Sequence, residues 1–311
     1  MKDMAVDLKR TVPAATSIEH RKSKPKPNGS LIHPRMTAAK VGGEVLRHAV
    51  LILASVIMIL PFLWMILSSF KPGDEIFTSS FFALPSHWVW KNYVTAWHAA
   101  PFGRFFLNSL IIAIGVVVGQ ILTCSFAAYA LTWVNLWGRK FWFLFIIATT
   151  MIPFESTIIP SYLVVKQLGW MNSYAGLIAP GITSVFGIFL LRQFFLTVPR
   201  ELFEAARMDG CTHFGMLFRV ILPLSKTVLA TMSLFAFLHA WNSYLWPLMI
   251  TNSTDMRTVQ IGLRYMINVE LGTQWPSLMA ASTLIILPVL IVFLLLQKYF
   301  IRGVMQSGIK A

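Results

Sequence analysis

Several polar and aromatic side chains lie within strongly apolar stretches of this 311-residue sequence. Glu155 belongs to the segment MIPFESTIIP, where an ionisable group is costly unless protein or water surrounds it. His239, Asn242 and Trp246 are spaced i, i+3 and i+7, which predicts one shared helix face, and Tyr244 lies on an adjacent face. Aromatic faces combined with hydrogen-bonding groups suit a polar, ring-shaped solute. These five residues are our candidates for a solute pathway.

The same residues also allow purely structural interpretations. Glu155 could pair with a neighbouring hydroxyl, or the prolines on either side could lift it to the outer interface. The aromatic residues of 241–248 could form a belt at the outer membrane surface, with Asn242 joining two helices. Gly115 and Gly119 form a GxxxG pattern, for which close helix packing is the expected use.

Motifs for catalysis or cofactor binding are missing from the sequence. Cys124 and Cys211 are far apart and share no CxxC or Cys/His spacing, so neither a metal site nor a redox motif is indicated. There is no GxxxxGK[ST] phosphate loop and no HExxH. We therefore expect no catalytic residue, no bound cofactor and no metal site in this chain.

The elements that must position these residues are membrane helices. Apolar residues make up 56% of the chain and charged residues only 12%, well below the usage of soluble domains. Apolar runs long enough to cross a bilayer recur, and a helix satisfies its own backbone there. The sequence predicts an all-α polytopic membrane protein with six transmembrane helices. The predicted spans are 49–70, 106–132, 141–165, 174–196, 226–250 and 277–300.

The distribution of basic residues predicts the orientation. Residues 1–47 are polar and basic, and we expect a disordered cytoplasmic tail followed by a first span that is retained as an anchor. With that tail inside, twenty Lys and Arg fall on the inner side and six on the outer side. Both termini are therefore predicted to be cytoplasmic, and an anionic bilayer explains the net charge of +14 without nucleic acid.

The segment 199–225, between the fourth and fifth predicted spans, is too long for a plain helix connection. Pro199 suits a helix start, and Glu201 and Glu204 complement the dipole of the first turn. Gly210 offers a left-handed exit, and an apolar second helix would run to Pro223. The segment is predicted to form a helix-turn-helix on the inner surface.

This segment resembles the EAA loop of the binding-protein-dependent permeases of ABC transporters. That loop has Glu-Ala-Ala, three residues, Gly, nine residues and Ile-x-Leu-Pro; here Val220 stands at the Ile position. The sequences around 190–195 and 241–248, with the Asp209–Gly210 pair, resemble the carbohydrate-uptake branch, and the resemblance covers about 49–311. The matching residues are Glu204, Ala205, Ala206, Gly210, Leu222 and Pro223.

The resemblance implies an ABC importer permease of the MetI-like fold, with residues 48–311 as its transmembrane domain. It implies that the EAA residues and Asp209 couple transport to an ATPase, which carries ATP and Mg²⁺ on a separate subunit. The implied partners are a second permease subunit, two ATP-binding subunits, the lipid membrane and an extracytoplasmic solute-binding protein facing 251–276. The implied cargo is a carbohydrate or related polar solute, taken up across the cytoplasmic membrane.

Two other classes of function agree less well with the sequence. An ion-gradient-driven secondary transporter also needs polar groups at membrane depth, but the EAA loop and the lack of two recognisable internal repeats argue against it. A membrane-embedded enzyme would require a metal cluster, paired carboxylates or a nucleophile and base, and the sequence suggests none of these.

Overall fold

The computed structural model describes residues 38–78, 80, 83–267 and 272–307, and this part of the chain contains helices and no strand. The chain divides into two compact units, one ending at Ile57 and the other beginning at Met58. Short 3₁₀ turns follow α5 and α7 and precede α14, and a π-helical turn at Met216–Ile221 joins α10 to α11. The helices are α1 Ala38–Ser69, α2 Glu75–Thr78, α3 Lys91–His98, α4 Phe102–Trp133, α5 Arg139–Ala148, α6 Phe154–Gln167, α7 Tyr174–Ile178, α8 Val185–Phe195, α9 Arg200–Met208, α10 His213–Gly215, α11 Leu222–Leu224, α12 Lys226–Trp241, α13 Leu245–Ile250, α14 Val259–Tyr265 and α15 Trp275–Ser307.

Three helices are long and apolar enough to cross a membrane alone: Gly43–Ser69 of α1, Phe102–Trp133, and Trp275–Tyr299 of α15. Three further candidate spans are bent pairs of helices, so the described residues provide up to six spans. The predicted number of spans agrees with this count, although half of them are not straight helices.

Two of the bends fall inside single predicted spans. The predicted span 141–165 consists of α5 with its 3₁₀ turn and α6, which meet at 99°. Ile152 is extended there because a residue before proline avoids the helical region, and Pro153 is extended as the N-cap residue of α6. The predicted span 174–196 bends by 45° between Tyr174–Gly181 and α8.

The predicted span 226–250 is wrong as a single helix. α12 ends at Trp241 and α13 begins at Leu245. Pro247 has no N–H to donate to the carbonyl of Ser243, which removes one helical hydrogen bond at this break. The apolar partner of α12 is instead His213–Leu224, which meets it at 84°.

The ends of the outer helices also differ from the prediction. α1 begins at Ala38, so residues 38–47 are helical and do not belong to a tail ending at 47; residues 1–37 lie outside the described residues. α15 continues to Ser307, beyond the predicted end at 300. Helix propagation needs no apolar side chains, which is why hydropathy underestimates both helices.

α4 is the central helix of the second unit and packs along α8 and α12. A Cβ added at Gly115 would lie 2.7 Å from Ile178, and one added at Gly119 would lie 2.7 Å from Ile182. The GxxxG pattern therefore serves close packing of α4 against the α7 region, as predicted.

Hydrogen bonds at one end of α4 fix the connection between α13 and α14. Asn108, fully buried, donates to the carbonyls of Asp255 (2.7 Å) and Arg257 (2.8 Å) and accepts from the Tyr174 hydroxyl. The Ser109 hydroxyl accepts from the N–H of Val259. This part of the predicted outer segment 251–276 is therefore anchored to α4.

A second hydrogen-bonded contact lies within the connection from α1 to α3. The carboxylate of Glu75, in the first turn of α2, accepts hydrogen bonds from the hydroxyl and the backbone N–H of Ser86. These bonds lower the pKa of the Glu75 carboxyl below its ordinary value.

Candidate functional site

The coupling segment, residues 199–225, begins with α9 and ends that helix in a Schellman motif. The N–H of Cys211 donates to the carbonyl of Ala206 at 3.0 Å, and the N–H of Gly210 donates to that of Arg207 at 3.0 Å. Asp209 is the C-cap residue and Gly210 has φ 76°. The left-handed exit predicted at Gly210 is confirmed.

The second half of the segment returns the chain to α12. The Thr212 hydroxyl caps α10 by accepting from the N–H of Gly215 at 3.2 Å. Ile221 is fully buried and Leu222 packs against the same core, while Pro223 is exposed in α11. The predicted helix-turn-helix is confirmed, with a π-helical turn before Leu222 that hydropathy does not reveal.

α9 has one face on the core and one face exposed. Phe203 and Ala206 pack against the core cluster around α4 and α8. Glu204 and Ala205 are exposed, and Met208 is 89% exposed. α9 therefore presents Glu204, Ala205 and Met208 on the face that is away from the core.

Aromatic residues on one face of α4 hold both halves of the coupling segment. The rings of Trp133 and Phe203 stack with centroids 4.8 Å apart and planes at 9°. The Tyr129 hydroxyl and His213 Nδ1 are hydrogen-bonded at 2.9 Å. Phe126 contacts the second half of the segment through Phe214 and Phe218.

We call the contacts of Phe126, Tyr129 and Trp133 with the coupling segment the aromatic clasp. Sequence reasoning missed it, although residues 126, 129 and 133 have the i, i+3, i+7 spacing of a single helix face. The clasp means that a displacement of the coupling segment acts directly on α4.

The candidate solute pathway lies at the break between α12 and α13, next to the start of α6. Three cavities, of about 400, 220 and 490 Å³, all have Phe154 and His239 in their walls. His239 is exposed in the last turn of α12. These cavities place polar and aromatic groups around a common space.

The structure brings four of the five predicted pathway residues together. The largest of these cavities is lined by His239, Asn242, Tyr244 and Trp246. The fifth, Glu155, lines none of the three; it is exposed in the first turn of α6 and has no hydrogen-bond or ion-pair partner among the described residues. The lining residues that sequence reasoning missed include Phe154, Thr157, Ser161 and Ser243.

The predicted single helix face at 239–246 is wrong, because Asn242 to Tyr244 lie between two helices. Trp246 is only 8% exposed, and its indole N–H donates to the carbonyl of Gly176 at 3.1 Å. Asn242 accepts from the side-chain amide of Gln260 at 3.4 Å, which supports the interpretation that it joins helices.

Comparisons with known proteins place this architecture in a family. The sequence model of the family described as binding-protein-dependent transport system inner membrane component matches residues 115–306. This range includes the coupling segment and the α12–α13 break. A solved bacterial ABC transporter chain, described as involved in import of the acidic polysaccharide alginate, superposes with a TM-score of 0.74 at 24% identity. The match covers 86% of this chain and 99% of that one. That likeness shows the fold of an ABC importer permease.

Curated relatives match over most of their length. The sn-glycerol-3-phosphate transport system permease protein UgpE of Yersinia pestis bv. Antiqua is 36% identical over 86% of this chain and 97% of its own. The arabinooligosaccharides transport system permease protein AraQ of Halalkalibacterium halodurans is 36% identical over 82% and 92%. UgpE of Brucella abortus is 34% identical over 85% and 96%. The chain belongs to the binding-protein-dependent transport system inner membrane components, the membrane-spanning permeases of ABC importers.

Proposed function

We propose that this permease takes up a carbohydrate or a related polar solute, in the range from sugars and oligosaccharides to glycerol phosphate. The names of the relatives support this class, since they refer to sn-glycerol-3-phosphate and arabinooligosaccharides. The cavities at the α12–α13 break support it independently, because they combine aromatic walls with the hydrogen-bonding side chains of His239, Thr157 and Ser243.

The coupling segment is proposed to seat on a separate ATP-binding subunit. The observation that carries this proposal is the geometry of α9, whose exposed face holds Glu204, Ala205 and Met208 while its opposite face is held on α4 by the aromatic clasp. Closure of two ATP-binding subunits would then move α4, which packs along α8 and α12. Leu222 and Pro223 carry the same movement into α12 through the bend after α11.

The remaining parts of the assembly follow from this arrangement. A second permease subunit completes the pore, and an extracytoplasmic solute-binding protein delivers the cargo on the side of 251–276. The coupling segment and both termini lie on the cytoplasmic side, which agrees with the excess of Lys and Arg there. ATP and Mg²⁺ are held by the ATP-binding subunits and not by this chain.

Solute contact is assigned to exposed groups at the break. His239 and Tyr244 are exposed and have no hydrogen-bond partner among the described residues, so they are available to a solute. Glu155, exposed beside Phe154 at the start of α6, can gate the same space. Asn242 is less available to a solute, because its side-chain oxygen already accepts a hydrogen bond from Gln260.

Uptake by the reconstituted importer tests this function. We expect accumulation of a sugar or glycerol phosphate in proteoliposomes that requires ATP and the solute-binding protein and continues when ionophores collapse ion gradients. His239→Ala should lower uptake more than the ATP hydrolysis measured without solute. Uptake that needs an ion gradient and no ATP would contradict the proposal and favour the secondary transporter.

A further inference from the structure

A cavity of about 410 Å³ lies between α9 and the ends of α4 and α8, separate from the candidate solute pathway. Three arginines line it: Arg139 at the start of α5, and Arg200 and Arg207 on α9. Glu204 is the only carboxylate among its lining residues. We call this space the arginine cavity.

The positive charge of the arginine cavity is not neutralised within the described part of the protein. Glu204 forms no ion pair there with Arg139, Arg200 or Arg207, since the one ion pair in that part is between Arg47 and Glu44. Of the three arginines, only Arg139 donates a hydrogen bond, to the carbonyl of Thr132 at 3.3 Å. Uncompensated charges that line a cleft concentrate a positive potential inside it.

We propose that the arginine cavity binds a phosphate-type oxyanion. Planar guanidinium groups bind phosphate oxygens in pairs, and several of them around one space suit a group with several equivalent oxygens. The oxyanion would take hydrogen bonds from Arg139, Arg200 and Arg207. The site is separate from the candidate solute pathway, and it shares Trp133, Phe203 and Glu204 with the aromatic clasp and the coupling segment.

The position of the cavity gives its phosphate two possible sources. Its walls include Trp133 and Phe195, the last residues of the apolar helices α4 and α8. The cavity therefore lies at the depth of the headgroups of an anionic lipid. It is also open to water, where a free phosphate could enter. Both ligands present the same oxyanion to the arginines.

Two probes test the site on the full chain purified with its associated subunits. In phosphatidylcholine nanodiscs with and without phosphatidylglycerol, native mass spectrometry counts the phosphatidylglycerol that stays bound. In discs without it, calorimetry measures binding of inorganic phosphate. We expect the double variant Arg139→Gln/Arg207→Gln to bind phosphatidylglycerol or phosphate about tenfold or more weakly, because each substitution removes a charged hydrogen bond.

Arg219→Gln is the matched control, because Arg219 is exposed in the same coupling segment and lies outside the cavity. Retention of phosphatidylglycerol alone would identify the lipid as the source, and phosphate binding that phosphatidylglycerol displaces would show that both enter one site. If the double variant does not assemble, Arg139→Gln alone, which leaves α9 unchanged, should lower affinity severalfold. Equal binding by the cavity variants and Arg219→Gln, or binding of neither probe, would overturn the proposal.

Discussion

In the coupling segment, side chains are held by the rest of the protein, whereas at the α12–α13 break they line open space. Phe203 stacks on Trp133, and His213 is hydrogen-bonded to Tyr129. At the break, His239 and Tyr244 are exposed on cavities and have no hydrogen-bond partner in the described residues. We propose that the first region transmits movement and that the second admits a ligand.

The comparison teaches that position near a candidate site does not fix a residue's role. Trp246 lines two of the three cavities that His239 lines, yet it is buried and its N–H already donates to the carbonyl of Gly176. Glu204 and Phe203 are adjacent in α9, yet one is exposed and the other is packed on α4. Substitutions should therefore separate loss of stability from loss of transport within each region.

The largest effect on stability is expected from Trp246→Ala. Removing a buried tryptophan leaves a cavity and orphans the Gly176 carbonyl, so we expect a loss of about 3–5 kcal/mol in unfolding free energy. Denaturant unfolding of the purified chain measures it. Trp137→Ala is the control, because Trp137 is 91% exposed. Equal unfolding free energies for the two variants would remove the distinction between Trp246 and the exposed pathway residues.

Gly210→Ala should have the next largest effect. A side chain in the left-handed region costs about 1–2 kcal/mol, so the exit from α9 should shift and uptake should fall although the membrane helices remain folded. Gly73→Ala is a control with open space around it and no positive φ. The test is uptake together with co-purification of the ATP-binding subunit. Normal values of both for Gly210→Ala would argue against the coupling role of this turn.

Tyr129→Phe isolates one contact of the aromatic clasp. It removes the hydrogen bond to His213 and keeps the ring, so we expect a loss of about 0.5–1.5 kcal/mol in unfolding free energy and weaker coupling of ATP hydrolysis to uptake. Tyr162→Phe, which removes a hydroxyl with no hydrogen-bond partner among the described residues, should change neither quantity. Identical behaviour of the two variants would show that the clasp does not transmit movement.

His239→Ala should have the smallest effect on stability. The side chain is exposed, so the unfolding free energy should stay within about 0.5 kcal/mol of the wild-type value while the apparent solute affinity in uptake falls. Solute titration of uptake and denaturant unfolding are measured on the same preparation. Unchanged uptake would move the solute path away from the α12–α13 break.

The sequence predicted the coupling segment more accurately than the pathway. The turn at Gly210 depends on local backbone preferences, which the residue types determine, so its conformation was predictable. At the break after Trp241, Pro247 leaves the carbonyl of Ser243 without its helical hydrogen bond. Hydropathy does not reveal this break, because the residues on both sides of it are apolar. The aromatic clasp and the cavities join residues far apart in sequence, such as Tyr129 with His213 and Phe154 with His239, and such pairings require the fold.

Photocrosslinking from α9 tests the central claim most directly. A photoreactive amino acid replaces Met208, whose side chain is 89% exposed on the face opposite the clasp, in the importer within its own membranes. We predict a crosslink to an ATP-binding subunit whose yield changes when ATP binds, and no such crosslink from Trp90, an exposed residue of the α1–α3 connection. A Met208 probe that reaches only lipid, or that reaches the ATP-binding subunit no more often than the Trp90 probe does, would contradict the assignment of the coupling segment.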